Sequence, residues 1–394
     1  MRNFKTDRNG NVAILFALAL IPVIGAMGAA VDYSLASAQR TAMQAAIDAT
    51  ALALAKIMPA SQAELDARGM EFFKANLGSA PIKNVTLSIT PANGKLNLEA
   101  AATYTPELVN VLGITEFPIG TKAEARWGIK KLELALALDN TGSMSWSGKM
   151  TALKKATHNL LDMLESAVAK PGDAKVAIIP FDTTVKIGTG YKDEFWVDYK
   201  VNDIKKKDWE GCVIDREQDY DVTDTAPTNN GKNKRDTWYP AADCGSLVQM
   251  LPLTEDWKQL SDRVDQMTPN GFTNVTIGLA WAWHALTSTE VLTQAAAPDP
   301  ELEKYIVLLT DGANTKNRWT SNQSQIDART KLACKNAKAA GIKIFAVRVI
   351  EGNADLLLEC ATNPSMYFDV QQADQLIGVF NSIGSTLANL PLSK

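Results

Sequence analysis

The stretch LELALALDNTGSMSWSGKM, Leu132 to Met150, decides how the larger part of this chain folds. Leu134–Leu138 is an unbroken apolar run and predicts a strand buried on both faces. The run stops at Asp139, and Asn140, Thr141, Gly142 and Ser143 follow before helical spacing begins near Lys149. Open α/β sheets place ligands at such strand-to-helix turns, outside the carboxyl ends of parallel strands. This turn offers one carboxylate and two hydroxyls, from Asp139, Thr141 and Ser143. Hard oxygen donors without His or Cys suit Mg2+, Mn2+ or Ca2+ better than zinc.

Outward from this stretch strands and helices alternate, the signature of an α/β, doubly wound (Rossmann-like), mostly parallel sheet. The expected strands are Leu132–Leu138, Lys175–Phe181, Lys304–Thr310, Ile342–Val349 and Met366–Val370. The expected helices are Lys149–Ala169, Trp257–Met267, Val275–Leu286, Gln325–Ala340 and Ala373–Leu390. Ile306–Thr310 is a second buried run, ending in Asp311 and Gly312, and Asn270-Gly-Phe-Thr273-Asn274 leads into an apolar helix. In a doubly wound sheet the Asp139 and Asp311 strand ends can be neighbours, with Thr273 delivering a hydroxyl from the adjoining loop. Two carboxylates and three hydroxyls leave positions for water on an octahedral Mg2+.

Asp139-x-Thr141-x-Ser143, then Thr273, then Asp311 resembles the metal-ion-dependent adhesion site of von Willebrand factor A (vWA) domains. The resemblance implies that fold for residues 130–394. It also implies a divalent cation, Mg2+ first with Mn2+ or Ca2+ as alternatives, on Asp139, Thr141, Ser143, Thr273 and Asp311. A partner protein's carboxylate would complete the coordination. Position 141 is Thr where many members have Ser, which keeps the hydroxyl. Taken alone, the first piece also fits a capped helix start with Ser143 as N-cap; the other two pieces favour a divided metal site.

An enzymatic alternative rests on Asp139-Asn-Thr-Gly-Ser and Thr310-Asp-Gly-Ala-Asn314, which are similar to the phosphorylated-Asp and Mg2+ motifs of P-type ATPases. That family's Lys after the nucleophile is Asn140 here and its final Asp is Thr315, so a non-enzymatic protein is expected. With only His158 and His284 in the chain, neither a His-based zinc site nor a Ser-His-Asp hydrolase is expected. His284, between apolar neighbours with Trp281 and Trp283, reads as core. The net charge of −4 leaves no broad basic surface for nucleic acid.

Residues 186–251 form a long polar insertion holding Trp196, Trp209, Trp238, Cys212, Cys244 and the acidic run Asp215–Asp224, which lacks EF-hand spacing. It should emerge on the edge that bears Asp139, and it is expected to shape partner choice, so that deleting Lys192–Trp238 abolishes binding while sparing the fold. The four cysteines have no CxxC spacing, and disulfides Cys212–Cys244 and Cys334–Cys360 are expected in an oxidising compartment.

At the other end of the chain, Val12–Val31 carries no charge over about 20 residues, enough to span a bilayer. Arg2, Lys5 and Arg8 precede it and the next basic residue is Arg40, which puts the N-terminus inside and the rest outside. A cleavable signal peptide fits the same features; spanning length and continued helical spacing favour a retained anchor. Leu35, Ala38, Ala42, Ala45, Ala49 and Leu52 recur every three or four residues as a seam of mostly alanine. It suits either packing on the chain's own next domain or a stalk that meets partner helices.

The segment Arg8–Ala55 resembles the N-terminal segment of TadE/TadG-like proteins of Flp-type pilus assembly. Prepilin-like members carry a Glu about five residues after the processed glycine; after Gly10 this chain is apolar or uncharged through Leu20, so the unprocessed TadG-like type fits better. Between anchor and main domain, helical spacing over Ser61–Leu77, a strand at Val85–Ile89, an Asn93-Gly94 turn, a return strand Lys95–Ala101, a short helix Pro106–Gly113 and a strand Ile119–Trp127 predict a small α+β spacer.

The expected organisation is therefore 1–57 tip, transmembrane helix and stalk, 58–129 spacer, and 130–394 vWA domain. The expected function is a single-pass protein of the bacterial inner membrane, its vWA domain in the periplasm or outside, binding protein partners in pilus assembly or adhesion. The alternative is a structural envelope subunit whose metal only stabilises the fold.

Overall fold

The computed structural model describes residues 11–58, 60–92, 94–126, 131–168, 170–288 and 291–388, apart from the side chains of 11–14, 21, 111 and 112. Arg2, Lys5, Arg8, Asn93, Trp127, Lys130, Ala169 and Leu390, which figure in the expectations above, lie outside the described residues, as does the side chain of Val12. Two compact units divide the chain, Met1–Gly128 and Ile129–Lys394.

In the first unit, helix α1 (Asn11–Ala55) runs through Pro22, and α2 (Gln62–Leu77) starts at the N-cap Ser61, whose side chain accepts from the Glu64 amide. Strands β1 (Ile82–Ala92), β2 (Lys95–Tyr104) and β3 (Phe117–Arg126) form an antiparallel sheet in that order. Alternation along β2 turns Leu96, Leu98, Ala100 and Ala102 inward against Met43, Ile47 and Leu54 of α1 and Leu65 and Phe73 of α2. Only a short 3-10 turn, Val109–Leu112, occupies the place of the expected Pro106–Gly113 helix.

The alanine seam does not pack on this sheet. Leu35 and Leu52 are 43% and 64% exposed, and Ala38, Ala42 and Ala45 are exposed with them. Met43, Ile47 and Leu54 take the sheet instead, because they bury more apolar area than alanines do. Packing on the chain's own spacer is thereby corrected as the seam's role.

The second unit is a six-stranded sheet of β4 (Lys131–Asp139), β5 (Ala174–Phe181), β10 (Leu251–Thr254), β11 (Leu302–Thr310), β12 (Lys343–Val349) and β13 (Tyr367–Val370), in the order β10-β5-β4-β11-β12-β13. All neighbours are parallel except β10, an antiparallel edge strand hidden in the short run that ends the insertion. Helices α3 (Lys149–Ala167), α4 (Trp257–Asp265) and α8 (Gln375–Ala388) cover one face; α5 (Val275–Ala285), α6 (Gln323–Ala339) and α7 (Ala354–Cys360) cover the other.

The register of β4 sorts its side chains. Leu132, Leu134, Leu136 and Leu138 face Leu153, Leu160 and Leu164 of α3 and Phe380 of α8, whereas Ala135 and Ala137 face α5. Small residues there let α5 approach closely, and its Gly278 sits so near Phe181 that a Cβ would lie 2.4 Å from the ring. Every residue of α5 is buried, as expected of a helix apolar all round.

The insertion explains that burial. It folds into short strands β6 (Val185–Lys186), β7 (Val197–Asp198), β8 (Cys212–Val213) and β9 (Tyr239–Ala242), with 3-10 turns between them, and lays Trp196, Val222 and Tyr239 into the core that contains α5. The Tyr239 ring packs at a tilt against Trp281, centroids 5.0 Å apart, and its hydroxyl meets His284 Nε2 at 3.1 Å. Burial, and then the Arg216 charge, hold His284 well below its usual pKa, so it is a neutral core imidazole. Asp219 and Asp221 are held by Arg329 of α6. The expectation that deleting Lys192–Trp238 spares the fold is corrected on this packing, because the insertion is one wall of the core.

Both disulfides are formed, Cys212–Cys244 within the insertion and Cys334–Cys360 joining α6 to α7, with separations of 32 and 26 residues. A Cys334→Ser/Cys360→Ser double variant is expected to lose about 3 kcal/mol, from the entropy of a closed loop of this length. Urea unfolding of the oxidised parent and the variant measures it.

Candidate metal centre

Strand order reverses between β4 and β11: the chain leaves β4 through α3 to β5 on one side, and β11 lies on the other. The carboxyl ends of these two strands therefore border the crevice where open α/β sheets bind ligands. Register pairs Leu138 with Leu309, which sets Asp139 beside Thr310 and close to Asp311.

Asp139 is fully buried. Its Oδ1 accepts the Thr141 amide at 2.8 Å and its Oδ2 accepts the Thr310 hydroxyl at 2.6 Å. Thr141 Oγ1 and Ser143 Oγ lie 3.0 Å apart, and Ser143 Oγ donates to Asp311 Oδ1 at 2.6 Å. Ser143 does not cap α3; it sits in a 3-10 turn, Gly142–Ser145, and Gly148 takes the cap position. Thr273 joins from the α5 loop: a Cβ built on Gly312 would be 3.5 Å from both Ser143 Oγ and Thr273 Oγ1. The five expected residues thus converge on one crest.

Backbone bonds lock these loops together. Gly142 N–H donates to the Gly271 carbonyl at 3.1 Å, Asn270 N–H to the Asn140 carbonyl at 2.8 Å and Thr315 N–H to the Thr273 carbonyl at 2.9 Å, while Thr273 N–H donates to the Thr315 hydroxyl at 2.8 Å. Asp215 of the insertion clamps the outside: both its oxygens accept from Asn274 Nδ2 at 2.9 Å, and one accepts the Arg318 amide at 3.1 Å.

Several site residues escape sequence reasoning. Lys149, 3% exposed, ion-pairs with Asp311 Oδ2 from the first turn of α3. Trp146 and Phe272 are 72% and 60% exposed on the same loops that carry Ser143 and Thr273. Only an aromatic standing among polar turn residues hints at the latter two; nothing in the sequence spacing marks Lys149.

Burial, and then the charge of Asp311, push Asp139 above the usual carboxylate range. Of the two buried carboxylates only Asp311 pairs with an ammonium, that of Lys149, which leaves negative charge that a divalent cation would balance, and hydroxyls surround them. The donor set is all hard oxygen, so the residues fit Mg2+ or a similar ion.

Burial also pushes Asp215 up to about 6. A carboxyl with a raised folded pKa binds its proton more tightly folded than unfolded, so its stabilisation is present at low pH and is lost as pH rises toward 6. We expect stability in chelator to fall by about 2–3 kcal/mol from this group between about pH 4 and 6. An Asp215→Asn variant should flatten that slope in pH-dependent urea titrations.

Fold and crest define an open α/β domain with an acidic, hydroxyl-rich ligand site at its switch point. Residues 248–382 match the family model of the von Willebrand factor type A domain, and residues 10–56 match that of Putative Flp pilus-assembly TadE/G-like proteins. The second unit has the vWA fold, and the matched region contains Thr273 and Asp311 while beginning after the Asp139 turn. No curated protein matches the chain.

Among solved structures, the pilus adhesin SpaC from Lactobacillus rhamnosus GG is similar at 13% identity and TM-score 0.42, over 77% of this chain and 34% of that one. The vWF domain of the type V pili tip protein Mfa5 from Porphyromonas gingivalis has 11% identity and TM-score 0.43, over 68% and 98%. Proximal thread matrix protein 1 from the mussel byssus, with a zinc-occupied MIDAS motif, has 13% identity and TM-score 0.38, over 65% and 47%. The chain spans about a third of the length of the SpaC chain it matches.

Proposed function

We propose that this protein is a membrane-anchored, non-enzymatic adhesion or assembly subunit that holds a divalent cation on Asp139, Thr141, Ser143, Thr273 and Asp311 and presents it to a carboxylate of a protein partner. The observation that carries the reading is the convergence of two fully buried carboxylates and three hydroxyls, from three separated loops, at the sheet's switch point. The cation would supply a Lewis-acidic contact for the partner's carboxylate. Trp146 and Phe272, exposed on flanking loops, supply apolar contact area of the kind that anchors protein interfaces.

The N-terminal half of α1 is long and apolar enough to cross a membrane. With Arg2, Lys5 and Arg8 before it and Arg40 the first basic residue after it, the rest of the chain lies outside the cytoplasm, in the setting of Flp-type pilus assembly. Mg2+ is the first choice of ion. A partner helix on the exposed alanine seam of α1 accords with this setting.

The nucleophilic alternative is disfavoured by access: Asp139 is fully buried and both its oxygens are hydrogen-bonded. To separate recognition from a purely stabilising metal, Thr273→Ala is the apt variant, because the backbone bonds of Thr273 to Thr315 do not use its hydroxyl. Expected are Mg2+ affinity reduced by about tenfold or more in calorimetry, a folded domain, and loss of partner capture from envelope extracts equal to that caused by chelator. Capture that persists in chelator would overturn the recognition reading; general unfolding of the variant would favour the stabilising one. Trp146→Ala should weaken capture and leave Mg2+ affinity unchanged.

A further inference from the structure

We propose that the loop Glu107–Ile114 of the first unit dips into the lipid–water interface and serves as a second membrane contact beside α1; this rests on the reading that α1 spans a bilayer. The observation begins at Asp32, the first charged residue after the apolar stretch Val12–Val31. Although it closes a segment otherwise lined with exposed apolar side chains, its carboxylate is fully buried. Three consecutive backbone amides converge on it: Glu107 at 3.1 Å, Leu108 at 2.8 Å and Val109 at 2.7 Å. The helix thus fastens the loop at the boundary of its own apolar segment.

From that clamp the loop reaches toward the apolar side. Gly28 lies one turn before Asp32, and a Cβ there would stand 3.2 Å from the Leu108 Cβ. Four residues of helix rise about 6 Å, so Leu108 sits about that far inside the level of Asp32. Interfacial segments bury their apolar face to about 5–10 Å.

Leu108 and Ile114 are 51% and 45% exposed, and Ile24, Met27 and Val31 of α1 are exposed too. The sequence between them, Leu-Val-Asn-Val-Leu-Gly-Ile, carries no charge, and Glu107 and Glu116 stand at its edges. An uncharged apolar loop pinned beside a spanning helix fits the acyl–headgroup boundary of a lipid bilayer. Covering it with lipid removes from water an apolar surface that the fold leaves open.

The test uses the full chain in phosphatidylcholine vesicles, with the native cysteines disulfide-bonded. An environment-sensitive fluorophore is placed through Leu18→Cys in the span, Leu108→Cys in the loop, or Leu52→Cys on the exposed far part of α1. Lipids with a spin label on the acyl chain, which reaches both the boundary and the interior of the bilayer, act as quencher. Positions 18 and 108 are expected to be quenched several-fold more than position 52. If position 18 is quenched and 108 behaves like 52, the loop inference is overturned while the anchor stands. If position 18 also escapes quenching, the anchor falls and the inference with it. Asp32→Ala in the Leu108→Cys background should lower quenching at 108 toward that at 52, and unchanged quenching would refute the clamp.

Discussion

A Lys149→Met variant is expected to depend on a divalent cation for stability that the parent has without one. Lys149 is buried, and its ammonium pairs with Asp311 Oδ2 directly behind the crest. Removing one partner of a buried pair leaves an uncompensated charge at a cost of about 3–5 kcal/mol. Here the cost is aggravated by Asp139, also fully buried nearby. Methionine keeps the unbranched shape, so lost packing contributes little.

Urea unfolding in chelator should show the variant weaker by about 3–5 kcal/mol. Millimolar Mg2+ should restore most of it, because an ion that binds only the folded state adds RT ln(1 + [L]/Kd). The same substitution should tighten Mg2+ binding. A fixed unit charge about 5 Å from a dication, at an effective dielectric of about 20, repels it by about 6–7 kcal/mol before relaxation. Even a fifth of that is about tenfold in affinity. Equal stability of parent and variant in chelator would show that Lys149 does not neutralise the site.

Excising residues 192–238 is expected to abolish the folded second unit. The removed segment contributes Trp196, Trp209 and Val222 to the core around α5, and all three are nearly inaccessible to solvent. Without that wall, the side of α5 that meets the Tyr220–Val222 turn would face water, and Tyr239, which packs on Trp281, would lose its own contact with Trp196. Exposing about 400 Å2 of apolar surface costs about 10 kcal/mol at about 25 cal/mol per Å2, which is comparable with the whole net stability of a domain, about 5–15 kcal/mol. The excision also removes Asp215, the outer clamp on Asn274 and Arg318, and Cys212 of the first disulfide. The truncated protein should bind a hydrophobic dye and show no cooperative thermal transition. A soluble, cooperatively folding product that still binds Mg2+ would overturn this account of the insertion.

The parallel strands were legible because a strand covered on both faces reads as a continuous apolar run, and Leu134–Leu138 and Ile306–Leu309 do so. The candidate ligands were legible because such runs end abruptly in Asp139 and Asp311, and Thr273 stands just before a largely apolar helix. Strand β10 was missed because four residues of an antiparallel edge, Leu251–Thr254, have no periodicity to measure. The alanine seam left two readings open because a regular small-residue spacing says that a face is smooth, not what lies against it. The decision fell to Met43, Ile47 and Leu54 one step around the same helix.

What the sequence determined by itself is the set of local choices: apolar runs and their period, the polar residues that end them, the uncharged N-terminal stretch, and the cysteines available to pair. Each depends on neighbours a few residues away. What only the tertiary structure decided is which distant groups share a charge or a surface. Lys149 meets Asp311 across 162 positions of chain, and Tyr239 meets His284 across 45. Asp32 gathers three amides from beyond residue 106. Burial of a charge or a ring is settled by the packing of whole elements against one another, and no spacing along the chain encodes it.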